Sequence, residues 1–181
     1  MPVERTDVIK LGDKFATIIG EDVKVGDPAP HFTAQVGAWA GLNPWTEVDV
    51  LKETAGKVRI LASVPSLSTN VCDAETRRFN EEAAALGDDI RIITISADLP
   101  PTQKNWCAAA GVDRVYVVSD HMNLEFGDKY ATHIKERRWH RRAVFVVGKD
   151  DKLHYVAYMP TLGEQPNYEE VIGVAKKLVA A

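Results

Sequence analysis

The chain of 181 residues is predicted to be α/β, a central mixed β-sheet flanked by helices and preceded by an N-terminal β-hairpin. Three observations predict it. Short apolar, β-branched runs recur at Val58–Val64, Ile90–Ser96, Val115–Val118 and Ala143–Val147, each of strand length and each apolar enough to be covered on both faces. Between the first three lie stretches with the period of a helix carrying one apolar stripe. Ala143–Val147 is then followed by Leu153–Tyr158 across a short polar turn, so antiparallel strands join parallel ones in one sheet. The length suits a single domain, residues 1–181, with a substantial core.

In order, Thr6–Leu11 and Phe15–Ile19 flank Gly12-Asp13-Lys14 and read as a β-hairpin. Val25–Phe32 is rich in turn residues and leads into the main body. Gly37–Trp45 reads as an apolar, glycine-rich loop whose tryptophans, Trp39 and Trp45, pack it onto that body. Val58–Val64 is a buried strand closed by Pro65. After it, Cys72, Thr76, Phe79, Ala83 and Leu86 recur in steps of four and three, one face of a helix. Ile90–Ser96 is the next strand; Asp98-Leu99-Pro100-Pro101 starts a helix that ends near Gly111. Val115–Val118 is a third strand, Leu124–Ala131 a short helix, and Lys149–Lys152 the turn of the closing hairpin. Tyr168–Val179 is a last helix with Val171, Val174, Ala175 and Leu178 on one face.

The stretch Pro65–Cys72 carries the chemistry. It lies at the carboxyl end of a strand, where active groups gather in such sheets. Thr69 is a good N-cap residue, which puts Cys72 at the third helical position, among amides without partners inside the helix. Those amides and the helix dipole favour an anion such as a thiolate. The competing assignment is a small buried hydrophobe, since Cys72 also falls on the apolar stripe. Its charged neighbours, Asp73 and Glu75, oppose a thiolate, and Arg77 and Arg78 lie more than a turn away, so stabilising charge has to come from elsewhere in the fold.

Composition narrows the rest. With 45% hydrophobic and 27% charged residues, disorder is excluded. A formal charge of -4 gives no reason to expect nucleic acid as a partner, and no apolar run reaches the length of a membrane span. The N-terminal residues lack the apolar stretch of a signal peptide, so the cytoplasm is the expected compartment. Cys72 and Cys107 would there be reduced, and they stand too far apart for a Cys-x-x-Cys motif. His31, His121, His133, His140 and His154 show no ligand spacing, so neither a metal nor another cofactor is expected. The run Lys135–Arg142 reads as a solvated basic face.

The motif Pro65-x-x-x-Thr69-x-x-Cys72 resembles the signature of the peroxiredoxins. The longer run Val64–Asp73 with Glu75–Asn80 is similar to the thiol peroxidase branch. So are Val25-Gly26-Asp27-x-Ala29-Pro30-x-Phe32, Ser96-x-Asp98-Leu99-Pro100 with Gln103-Lys104-x-x-Cys107, and Arg142–Val146. Ser68 and Asn70 depart from the branch, where many members have aspartate and proline.

The resemblance implies a thioredoxin-like fold and a homodimer that reduces hydrogen peroxide and organic hydroperoxides. It makes Cys72 the peroxidatic cysteine and Cys107 the resolving one, with Thr69 and Arg142 as polar partners and Pro65 as a shield against water. Cys72 sulfenic acid would be closed by Cys107 into an intrachain disulfide, which thioredoxin or a similar dithiol would reopen. Two rival functions use the same scaffold: a peroxide-sensing redox relay, and a holdase chaperone.

Overall fold

The computed structural model describes all residues from Met1 to Ala181. Its eleven strands are β1 (Glu4–Leu11), β2 (Lys14–Ile19), β3 (Thr33–Ala38), β4 (Glu47–Asp49), β5 (Val58–Ser63), β6 (Ile90–Ser96), β7 (Tyr116–Ser119), β8 (His133–Ile134), β9 (Trp139–His140), β10 (Ala143–Val147) and β11 (Leu153–Tyr158). The helices are α1 (Val50–Glu53), α2 (Asn70–Leu86), α3 (Pro100–Ala110), α4 (Glu125–Lys129) and α5 (Tyr168–Ala180). Seven strands form the main sheet in the order β11-β10-β5-β6-β7-β3-β4, with β5, β6 and β7 parallel and the rest antiparallel. No helix is long and apolar enough to cross a membrane.

Every residue of β5 is buried, because the strand has helices on both sides. Val58, Ile60 and Ala62 point into one core with Phe79 of α2, Cys107 of α3 and Val171, Ile172 and Ala175 of α5. Leu61 points the other way, with Phe145 and Val147, into a core closed by Leu51, Phe126, Tyr130 and Phe32. Each such large side chain contributes about 1.5–3 kcal/mol on burial. A third, smaller cluster of Ile9, Ala16, Ile18, Ala131 and Ile134 seats the N-terminal hairpin.

Three stretches differ from the sequence expectation. Residues 33–38 are a strand, so the expected loop from Gly37 begins inside β3. Gly37 is there because α3 packs against it: a Cβ would lie 2.7 Å from that of Gln103. Trp39 does pack the following turn down, stacked on Tyr116 at 4.4 Å, whereas Trp45 stands 48% exposed. The helix expected over Leu124–Ala131 is only Glu125–Lys129, since Leu124 has φ 50° and cannot be helical.

The largest correction concerns the basic run. Lys135–Arg138 is exposed, but His140, Arg141 and Arg142 are buried. The run folds as the hairpin β8–β9, which pairs with β2 to extend the N-terminal hairpin into a four-stranded sheet. Its buried charges find partners far away in sequence. Arg141 pairs with Asp22 and lies over the Tyr158 ring at 3.9 Å; Arg142 pairs with Glu75.

Candidate active site

The site forms where several strands end or begin together, at one end of the main sheet. Strand β5 ends at Ser63, and the chain turns through Pro65 into α2. Strand β10 runs antiparallel to β5 with Ala143 opposite Ser63, so Arg142, the residue before it, emerges at the same end. Parallel β6 also ends there, with Ile95 opposite Ser63, and delivers Asp98 and the start of α3.

Thr69 is the N-cap of α2, and Cys72 occupies the third helical position. The Thr69 hydroxyl does not cap the helix; it donates to the Ser66 carbonyl at 3.1 Å. Cys72 is fully buried, and its one hydrogen-bond donor is Arg142, with Nη2 at 3.1 Å from Sγ. The helix amides, expected to donate to the sulfur, make no hydrogen bond with it; the guanidinium of Arg142 does so instead.

Arg142 is held on three sides. Nη1 donates to Glu75 Oε2, and Nε and Nη2 donate to the Leu162 carbonyl at 3.3 and 3.1 Å. A planar fork with several donors suits this; an ammonium could not make the same contacts. Burial works against the Arg142 charge, but Glu75 and then Cys72 more than offset it and raise its pKa. Glu75 is itself buried, and burial pushes its pKa up to about 7 against the opposing pull of Arg142. One turn from Cys72 on the same face of α2, Glu75 is the site residue that sequence reasoning misread. Its i+3 spacing was visible, but its guanidinium partner was not.

Beside this cluster a cleft of about 250 Å³ opens to solvent, lined by Pro65, Thr69, Val71, Trp139, Arg142 and Leu162 among others. Arg142 both faces the cleft and touches the sulfur behind it. Cys107 sits two turns into α3, is buried in the same apolar cluster as Cys72 and is a free thiol. Burial pushes its pKa up to about 11, and no charged group offsets that. The structure thus gathers Pro65, Thr69 and Arg142 around one cleft, sets Cys72 behind Arg142, and leaves Cys107 on a separate helix.

A sheet covered by helices on both faces, with a buried cysteine under a guanidinium, is the arrangement of a thiol-based redox protein, and comparison with known proteins agrees. Residues 24–172 match the Redoxin family model. A thiol peroxidase of Bacillus subtilis is 46% identical over 163 residues, covering 90% of this chain and 93% of that protein. Another from Halalkalibacterium halodurans is 46% identical over 160 residues, covering 88% and 92%. Among solved structures, a peroxiredoxin-like protein from Aquifex aeolicus superposes with a TM-score of 0.81 at 32% identity, covering 94% of this chain and 96% of the other. The chain belongs to the Redoxin family and, within it, to the thiol peroxidase branch of the peroxiredoxins. It is an oxidoreductase with peroxidase function, on the thioredoxin-like fold of its structural neighbours.

Proposed function

We propose that the protein, acting as one domain over residues 1–181, reduces hydrogen peroxide and organic hydroperoxides through Cys72 and is recycled through Cys107. The contact between Arg142 and the Cys72 sulfur carries this reading. A peroxide enters the cleft lined by Pro65, Thr69 and Arg142. The Cys72 thiolate attacks one peroxide oxygen; the O–O bond breaks, and the other oxygen leaves as an alkoxide or hydroxide that takes a proton. Cys72 is left as sulfenic acid and the peroxide as alcohol or water. The fixed guanidinium, which already holds the sulfur, stabilises the charge that moves onto the leaving oxygen. The Thr69 hydroxyl turns from Ser66 to orient the O–O axis. Pro65, with no N–H to offer, keeps water from the sulfur.

Cys107 then attacks the sulfenic sulfur, expelling water and giving an intrachain disulfide. Thioredoxin or a similar dithiol restores both thiols by exchange, in a compartment that keeps cysteines reduced, and the enzyme works as a homodimer. Intact mass after one equivalent of peroxide tests the proposal. The expected result is loss of two hydrogens, with Cys72 and Cys107 joined in the peptide map. Gain of one oxygen that persists, or a disulfide between two chains, refutes the recycling scheme.

A further inference from the structure

Between Trp139 and Arg142, which both line the cleft, lies His140, a fully buried imidazole that the chemistry above does not use. Its Nδ1 is 2.8 Å from the hydroxyl of Thr132, which is also fully buried. On its other side Nε2 has no hydrogen-bond partner, and Asp120 Oδ2 stands 3.3 Å away. Asp120 directly follows β7, and its carboxylate accepts from the Phe126 and Gly127 amides at 3.1 and 2.9 Å, at the start of α4. Gly127 makes room for the ring, since a Cβ there would lie 3.1 Å from His140 Cε1. Three buried polar side chains from separate stretches of the chain thus stand in one line, Thr132–His140–Asp120.

This line does not hold two opposite charges. Burial pushes Asp120 up to about 7 and His140 down to about 3, so the ring is neutral and the pair exchanges a single proton near neutrality. The groups facing it reinforce that. Asp128 and Glu125 of α4 oppose a charge on Asp120, and His133, opposite His140 in the β8–β9 pair, opposes one on the ring. The neighbouring Arg141 turns its guanidinium to Asp22. A neutral imidazole has one N–H donor and one acceptor nitrogen. We propose that Thr132, His140 and Asp120 form a one-proton relay whose direction reverses with pH, and that through it His140 is a positioning residue for Arg142. The second half rests on the reading of Arg142 and Cys72 given above. In the protonated form the Asp120 O–H donates to Nε2, and Nδ1–H donates to Thr132 Oγ1. Loss of one proton to water leaves Asp120 as carboxylate, with the ring proton on Nε2 donating to it and the Thr132 hydroxyl donating to Nδ1. The bond to the carboxylate is then charge-assisted and roughly twice as strong. His140 is held harder, and with it Arg141, whose amide donates to the Thr132 carbonyl at 2.7 Å, and Arg142, the next residue.

The test joins nitrogen NMR of the labelled histidine rings to single-turnover oxidation of Cys72 by hydrogen peroxide, both followed from about pH 5.5 to about pH 8.5. In the wild type His140, identified by the signals that His140→Gln removes, is expected to pass from the Nδ1–H to the Nε2–H tautomer with a midpoint near 7. Thr132→Val keeps the shape and deletes only the hydroxyl. A buried N–H without a partner costs more than a bare lone pair, so the variant ring is expected to stay Nε2–H throughout. Having lost one of its two anchors, it should slow Cys72 oxidation roughly three- to tenfold, and Thr132→Ser should restore both readouts. The wild-type rate divided by the Thr132→Val rate should rise about twofold across the midpoint. That quotient cancels the titrations of Cys72 and Glu75, which the variant keeps, and a general loosening of the fold would not move it. His140→Gln retains a donor for Asp120 but loses Thr132; it is expected to slow oxidation by a similar factor and covers the case in which Thr132→Val fails to fold. A wild-type ring that keeps one tautomer throughout, or carries both protons, overturns the relay. Oxidation at the wild-type rate in Thr132→Val or in His140→Gln overturns the link to Arg142. Failure of wild-type Cys72 to oxidise overturns the reading of that cysteine and the link with it, while the relay is still decided at His140.

Discussion

Cys72 and Cys107 are buried in the same apolar cluster, yet their surroundings differ in charge. Cys72 begins a helix at the end of the sheet and meets a guanidinium held by Glu75 and the Leu162 carbonyl. Cys107 lies further along its helix among hydrocarbon, and burial alone drives its thiol up to about 11. Burial therefore does not distinguish the two sulfurs. What separates them is a fixed cation that arrives from β10, a strand distant in sequence but adjacent to β5 in the sheet.

Exchanging each sulfur for oxygen gives the largest contrast. Cys72→Ser is expected to reduce peroxide consumption to background. Cys107→Ser is expected to complete one oxidation and then stop in an assay supplied with thioredoxin, its reductase and NADPH. Sustained turnover by Cys107→Ser would show that the second sulfur is dispensable. Next comes the cation. Removing a preorganised donor from a buried site costs on the order of a hundredfold in rate, so Arg142→Ala should slow single-turnover oxidation of Cys72 by about that factor. Arg142→Lys should recover little of it, because an ammonium cannot reach sulfur and Glu75 together. A rate unchanged in Arg142→Ala would leave the two cysteines electrostatically equivalent.

Glu75 gives the site a pH dependence below neutrality, whereas the raised thiol of Cys107 titrates only in the alkaline range. The Glu75 pKa stands near 7 in the folded chain and near the ordinary carboxylate value, 4.5, when unfolded. Between those values the folded state holds the extra proton, so this group's contribution is fully present below about 4.5 and is lost as pH rises toward 7. The slope is at most one proton, about 1.4 kcal/mol per pH unit. Glu75→Gln removes the titration. Compared with wild type, the variant should gain stability steadily from pH 4.5 to 7 in urea melts and show no further relative change above. Parallel curves for the two proteins would show that Glu75 is charged throughout.

Much of this contrast was legible before any coordinates, and the part that was not has physical causes. The strands β5 and β6 and the helix α2 declare themselves because their apolar periodicity is continuous, and the helix start near Cys72 follows from Pro65 and Thr69. Strand β3 stays hidden because Gln35 and Gly37 interrupt its apolar pattern, and the need for a glycine is set by Gln103 on another helix. The basic run is opaque for a similar reason. Nothing local distinguishes exposed Arg137 from buried Arg141 and Arg142; the difference is made by Asp22, which pairs with Arg141, and Glu75, which pairs with Arg142, each more than sixty positions away. Glu75 itself was visible beside Cys72 but was read as a charge opposing the thiolate. In the folded chain it faces the guanidinium and orients it.

Thr69 offers the smallest and most discriminating change. Its hydroxyl is exposed and donates to the Ser66 carbonyl, so in the resting protein it serves the turn and not the sulfur. Thr69→Val keeps the branched shape and removes only the hydroxyl. The stability cost is expected to be below about 1 kcal/mol, the net worth of one solvent-facing hydrogen bond. If the hydroxyl also orients the peroxide, the oxidation of Cys72 slows by about tenfold, less than in Arg142→Ala because no charge is lost. Thr69→Ser, which restores the hydroxyl, should restore the rate. If Thr69→Val loses stability but oxidises at the wild-type rate, the hydroxyl belongs to the turn alone, and Arg142 is left as the polar group that sets Cys72 apart from Cys107.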